Sequence, residues 1–261
     1  MSRPAPPRTD LSPLMAALRA ATPARVGLGR SGAGLPTRAL LDVQLAHARA
    51  RDAVQAQLDA PALAAALALP SLEVASAAPD RATFLMNPDL GRRLGPGGER
   101  LARTEPDLAL VIADGLSATA VQVHAPPLVA ALVPRLKGWS LAPAVIARQG
   151  RVALGDAVGE ALGARAVLVL IGERPGLSAA DSLGAYLTWA PRTGRRDHER
   201  NCVSNIRDPG GLMPEAAAAK LAWLLTEARR LGFSGVDLKD RQEATPLAAP
   251  SAPRLHPGRG D

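Results

Sequence analysis

Residues 164–177 read ARAVLVLIGERPGL: an unbroken aliphatic run from Ala166 to Ile171, closed by Gly172 and then by the turn-forming pair Pro175-Gly176. A short, uniformly apolar run bounded by turn signals predicts a strand buried on both faces. Working outward, GDAVGEALGA at 155–164 has helical spacing with Asp156 in its first turn, and LAPAVIARQGRVAL at 141–154 is extended up to a turn at Gly150. Further back, LALVIADGLS at 108–117 is another buried strand, followed by a helix over 117–136 with a break expected at Pro126-Pro127. On the other side, LGAYLTWAP at 183–191 predicts a strand, RNCVSNIR at 200–207 a polar loop, and residues 214–235 a long helix capped by Gly232. Strands alternate with helices. The fold class is therefore α/β: a Rossmann-like, mostly parallel sheet covered by helices, preceded by a small helical N-terminal domain.

The first hundred residues support that division. Leu11 to Ala20 has a short helical pattern that stops at Thr22-Pro23, and VGLGRSGAGLP at 26–36 is a Gly-rich connection without the Lys-Ser/Thr ending of a phosphate cradle. Residues 37–58 place Leu40, Leu41, Leu45, Ala48, Ala53 and Val54 at helical spacing behind Thr37 as the N-cap. A short helix and an extended crossing over 72–75 follow, then an extended TFLM at 83–86 and a one-turn helix ending at Gly95. The Gly-Pro-Gly-Gly run at 95–98 marks a boundary. The predicted organisation is an N-terminal extension over 1–21, a helical N-terminal domain over 22–100, a Rossmann-like domain over 101–240 and a disordered tail over 241–261.

At 261 residues with 47% hydrophobic positions the chain is long enough for a sizeable core, but aromatics are only 2%. Few rings leave little surface for stacking bases. The net charge of +7 is spread thinly, with the largest share over residues 1–60, where eight arginines face four aspartates. No five-residue basic block occurs, so no nucleic-acid partner is expected. The single cysteine, Cys202, excludes a disulfide framework and a cysteine-rich zinc site, and no stretch has the length and apolarity of a signal core or membrane span. A cytoplasmic protein without a membrane partner is expected.

In open α/β sheets ligands bind beyond the carboxyl ends of the strands. Three segments qualify: Asp114 in ADGLS, Glu173-Arg174-Pro175-Gly176 and RNCVSNIR. Each also has a structural use, Asp114 as a helix cap, Glu173 and Arg174 as surface ion-pair partners, Cys202 as an inert thiol. The four histidines, at 47, 124, 198 and 256, have no metal-ligand spacing and supply no evident base for Cys202. No catalytic residue and no metal site is assigned. These residues describe a loop-rich ligand face without its own acid or base, as in a binding subunit; a stand-alone Rossmann-like enzyme holding a nucleotide at Asp114 and Glu173 is the alternative.

Six ordered motifs resemble one family. They are TRALLDVQLAHARARDAV at 37–54, FLMNPDLGRRL at 84–94, DLALVIADGLSATAV at 107–121, the run from IARQGRV to GERPGL at 146–177, SLGAYLTWAPR at 182–192 and RNCVSNIR at 200–207. Together, over residues 22–236, they closely resemble the small (light) subunit of ethanolamine ammonia-lyase. The resemblance implies a subunit of an adenosylcobalamin-dependent lyase that converts ethanolamine to acetaldehyde and ammonia by radical chemistry. It implies a large-subunit partner that holds most of the ethanolamine contacts, in a hetero-dodecamer of six large and six small chains. By the same resemblance residues 101–240 bind cobalamin, through Val152, Glu173 and Cys202. The Asp-x-His-x-x-Gly signature is absent, consistent with the family's base-on binding. The N-terminus is short beside relatives whose extra helical extension directs them into a bacterial microcompartment, so free residence in the cytoplasm is expected; the microcompartment is the alternative, with Leu11 to Ala20 as the helix that would serve it.

Overall fold

In the computed structural model, which describes residues 13–22 and 24–241, the uniformly apolar runs become the centre of a sheet. The strands are β1 (Ser71–Ala75), β2 (Leu108–Ala113), β3 (Ala144–Arg148), β4 (Ala166–Gly172), β5 (Leu183–Trp189) and β6 (Arg200–Ile206). Among the described residues they form one six-stranded sheet in the order β1-β3-β2-β4-β5-β6. Every residue of β2 and β4 is buried, because successive side chains alternate between two covered faces. Leu108, Leu110, Ile112, Leu168 and Leu170 meet helices α3 (Ala60–Leu67), α5 (Ala118–Leu132) and α7 (Pro214–Leu231) on one face. Ala109, Val111, Ala113, Val167, Val169 and Ile171 meet α6 (Leu154–Leu162) on the other.

The α/β expectation holds, and the sheet is parallel from β1 through β4. Its last two strands are antiparallel. No helix lies in the connection 173–182, so the chain leaving β4 doubles back, and only an antiparallel partner is within reach of so short a link. RNCVSNIR is not a loop but the edge strand β6. Its inward residues are Val203 and Ile206, three apart instead of two, because a bulge lies between the pairs Leu183–Ile206 and Ala185–Val203. Asn205 absorbs the extra residue with φ of +57°. An alternation broken in this way reads as irregular polar sequence.

Other local expectations change for identifiable reasons. TFLM lies in the helix α4 (Arg81–Met86), which starts because Asp80 accepts a hydrogen bond from the Thr83 N–H at 2.7 Å while Phe84 is drawn inward. The helix α5 continues through Pro126 and Pro127 without ending. Its N-cap is Ser117, whose Oγ accepts from the Ala120 N–H at 3.3 Å, so Asp114 is not the cap. In α2 (Thr37–Gln55) the Pro36 carbonyl already accepts from the Leu40 N–H, making Thr37 a helical residue and not the cap. The crossing at 72–75 is edge strand β1, so the segment 22–100 supplies a strand of the sheet as well as helices.

Contacts divide the described residues into two units, one made of those up to Val43 with Asp240 and Arg241, the other Gln44–Lys239. In the first, α1 (Pro13–Ala21) is followed by a turn that Arg19 holds by donating to the carbonyls of Val26 and Gly27. Ser31 and Gly34 then close a tight bridge within the Gly-rich connection. Residues 1–12 and 242–261, which include most of the expected extension and tail, lie outside the described residues. Among the described residues no helix is long and apolar enough to cross a membrane.

The junction between β4 and the loop before α5 leaves no room for a side chain at Gly172. A Cβ on Gly172 would sit 2.1 Å from the Ser117 carbonyl oxygen and 2.6 Å from that of Asp114, both backbone atoms that cannot swing aside. Gly172→Ala is expected to destabilise the chain by about 1–3 kcal/mol. A urea-unfolding midpoint equal to that of the parent would refute this reading of the contact.

Candidate functional site

Helix α6 covers the sheet face over β2, β3 and β4, and beyond it the same face continues onto β5 and β6, where exposed side chains begin. Tyr186 of β5 is half-buried against the α6 cluster, and Cys202 of β6 stands directly opposite it. Directly paired residues project to the same face, so the exposed Cys202 lies on the α6 side. Ser204, two residues along, shares that orientation and donates to Glu173 Oε1. The Glu173 carboxylate also accepts from Ser182 Oγ and, at 3.3 Å, from the Asn205 N–H. It rests over Gly184, where a Cβ would come within 2.8 Å of its Oε1. Val152, in the turn between β3 and α6, packs half-buried against the same cluster as Tyr186. Val152, Glu173 and Cys202 therefore occupy one side of the sheet, two of them at the carboxyl ends of β3 and β4 and the third on the edge strand.

A buried ion pair ties the two halves of this surface together. Arg200 of β6 donates through both terminal nitrogens to Asp156 of α6, each at 2.6 Å, and also to Thr188 Oγ1 at 2.8 Å and the Arg195 carbonyl at 3.0 Å. Asp156 is four residues after Val152, and Arg200 two before Cys202. The residue that sequence reading assigned to the first turn of α6 is thus also the anchor of the edge strand.

The site's electrostatics suit binding more than proton or group transfer. Protein packed around its sulfur pushes the Cys202 thiol above its ordinary value, and the nearby Glu173 charge adds to this. A reactive thiol needs the opposite shift. Burial likewise pushes the Tyr186 phenol up, with Cys202 contributing. His124 is buried on α5 with Nε2 3.3 Å from Asp181 Oδ2, while His47 and His198 are exposed. His256 lies outside the described residues. Among the described residues no group of three His, Cys, Asp or Glu side chains is placed to hold a metal ion.

Asp114 has a structural task in the neighbouring loops. Its Oδ1 accepts from the Gly150 N–H at 3.1 Å, and Arg81 lies 3.6 Å from Oδ2. Burial pushes its carboxyl up, opposed by the backbone N–H groups of Gln149 and Gly150 and by Arg81. Glu173 and Asp114 do not share a partner in the described structure. Sequence reading missed Ser182, Gly184, Tyr186 and Ser204, which position Glu173 and Cys202. The signal available was their alternation with apolar residues in SLGAYLTW and CVSN.

An α/β chain with an uncovered sheet face and an oriented carboxylate presents a surface of the kind that ligand-binding proteins use. Comparison with known proteins makes this specific. The ethanolamine ammonia-lyase light chain (EutC) family matches residues 13–239. A relative from Azotobacter vinelandii, an ethanolamine ammonia-lyase small subunit, is 53% identical over 248 residues, covering 88% of this chain and 89% of its own length. Small subunits from Bradyrhizobium diazoefficiens and Xanthomonas campestris pv. campestris are 55% and 51% identical, covering 92% and 97% of this chain and 94% and 98% of their own. This chain belongs to the ethanolamine ammonia-lyase light chain family.

Proposed function

We propose that this small subunit binds adenosylcobalamin at its junction with a large subunit, in an enzyme that converts ethanolamine to acetaldehyde and ammonia by radical chemistry. The observation that carries the reading is the uncovered face bearing Val152, Glu173 and Cys202, with Glu173 held in place by two serine hydroxyls. A corrin is a broad macrocycle fringed with amide arms, and it needs apolar surface with acceptors at the rim. The residues present fit it. Val152 and Tyr186 supply the apolar surface, Glu173 an acceptor for an amide N–H, and Cys202 a small side chain that permits close approach. Gln149 Oε1, next to this face in the turn after β3, is buried without a partner and is a second acceptor. The chemistry that adenosylcobalamin supplies when bound is homolysis of its cobalt–carbon bond. This chain's share is to seat the ring and keep water from it, with ethanolamine held mainly by the large subunit.

Helix α2 supports a partner-dependent role. Leu40, Leu41 and Leu45, which helical spacing aligns, are exposed at 44%, 56% and 50%. Apolar surface of this kind suits burial against another chain. Six large and six small chains, in the cytoplasm or within a microcompartment, complete the proposal.

The test is to purify the tagged full chain from cells grown on ethanolamine. A co-purifying larger partner, corrinoid absorbance and ammonia release from ethanolamine are expected. A folded, colourless chain that captures no added adenosylcobalamin in any assembly would overturn the proposal, and saturable nucleotide binding by it would favour a stand-alone enzyme. In the complex, Glu173→Ala is expected to weaken corrinoid retention by about 1–3 kcal/mol, measured by equilibrium dialysis. Unchanged retention would remove Glu173 from the site.

A further inference from the structure

Beside the proposed corrin face, the loops after all four parallel strands converge, and their charges do not balance. Arg81 and Arg92 follow β1, Asp114 follows β2, Arg151 follows β3 and Arg174 follows β4. Arg81 is fixed by donating from Nε to the Val54 carbonyl and from Nη1 to the Gly115 carbonyl, both at 2.8 Å. Its Nη2 is buried with no hydrogen-bond partner, and so is Nε of Arg151. Both guanidiniums lie over the Phe84 ring, 5.1 Å and 4.6 Å from its centre, which sets their planes without neutralising them. Arg92 is paired with Asp89 at 3.2 Å and Arg81 is near Asp114, but among the described residues no carboxylate pairs with Arg151 or Arg174. Burial, followed by the charges of Arg174, Arg81 and Arg92, pushes Arg151 below its ordinary value, with Asp114 opposing.

Arg81 and Arg151 are partly buried with one donor each unmet, and gathering like charge there, with the exposed Arg174 adding to it, is costly unless an anion joins them. Planar guanidinium forks converging from several loops match a tetrahedral phosphate group better than a single carboxylate. We propose that Arg81, Arg151 and Arg174 form a phosphate-binding subsite that takes the phosphodiester of the corrinoid's nucleotide tail. The assignment rests on the cobalamin reading above. Arg151 and Arg174 are the immediate sequence neighbours of Val152 and Glu173, so one ligand can reach both sets.

The experiment measures binding to the assembled full-length complex by absorbance titration, with two probes: hydroxocobalamin, which carries the nucleotide phosphate, and cobinamide, which lacks it. Arg174→Gln alters an exposed side chain and is the primary variant; Arg151→Met is the second. Each is expected to weaken hydroxocobalamin about tenfold or more while cobinamide affinity stays unchanged. Equal losses for both probes, no loss for either, or loss of the large subunit from the variant complex would overturn the subsite, the last because the arginines would then be serving a carboxylate of the partner. Should the parent complex bind neither corrinoid, the cobalamin reading fails by itself. Inorganic phosphate then decides the cluster: saturable binding abolished in Arg174→Gln keeps a phosphate site with free phosphate as its source, and no binding removes it.

Discussion

Arg200→Met is expected to lower the unfolding free energy of the full chain by about 3–5 kcal/mol near neutral pH. Arg200 and Asp156 are both almost completely buried, so removing the cation leaves a carboxylate without solvent or its hydrogen-bonded counter-charge. The remaining cation near Asp156, Arg195, is already paired with Glu199. The deficit carries a pH signature. Burial pushes the Asp156 carboxyl up, and Arg200 opposes that rise; without the guanidinium the rise is larger. A carboxyl whose folded value lies above its unfolded value costs nothing below the unfolded value, about pH 4, and the cost grows as pH rises through the folded value. The variant's deficit should therefore shrink towards about pH 4 and, as pH rises, grow until it levels off above the carboxyl's folded value. Adding Asp156→Asn should recover much of it, since an uncharged amide is easier to bury than an unpaired carboxylate. Urea unfolding at several pH values checks this, and a deficit independent of pH would refute the mechanism. Because the pair joins α6 to β6, the same variant is expected to loosen Val152 and Cys202 relative to each other.

Phe84→Ala is expected to cost about 3–5 kcal/mol. Phe84 is completely buried, yet it belongs to neither main core cluster. Its neighbours are Gly91, where a Cβ would come within 2.6 Å of the ring, and the guanidiniums of Arg81 and Arg151. Removing the ring opens a cavity beneath two cations and also releases the platform that aligns them. Phe84→Leu keeps most of the apolar volume, so its stability loss should be clearly smaller while the alignment is still lost. Paired urea-unfolding curves separate the terms: an alanine variant within about 1 kcal/mol of the parent would show that the loop collapses onto the space.

How much of this was legible beforehand depends on how local each signal is. The strands β2 and β4 could be read because burial on both faces demands aliphatic residues at every position, whatever the neighbours. The helix cap at Gly232 follows from its left-handed φ of +79°, a backbone demand that glycine meets at no steric cost. Glu173 could be singled out because it directly follows a buried strand. By contrast the sequence of β6 resembles a loop, since its bulge at Asn205 disrupts the period of two, and TFLM resembles an extended segment because the capping Asp80 lies outside the apolar run. The six motifs carried the family, and with it Val152, Glu173 and Cys202 as candidates.

The α/β class and the buried central strands follow from composition and spacing within single segments, and the family from the resemblance of the six motifs. The antiparallel course of β5 and β6, the meeting of Asp156 with Arg200 across 44 residues and the stacking of Arg81 and Arg151 on one Phe84 ring emerge only in three dimensions. Pairing direction, buried ion pairs and charge clusters arise between segments distant in the chain. Their energies depend on distance and burial, which no local pattern of residues encodes.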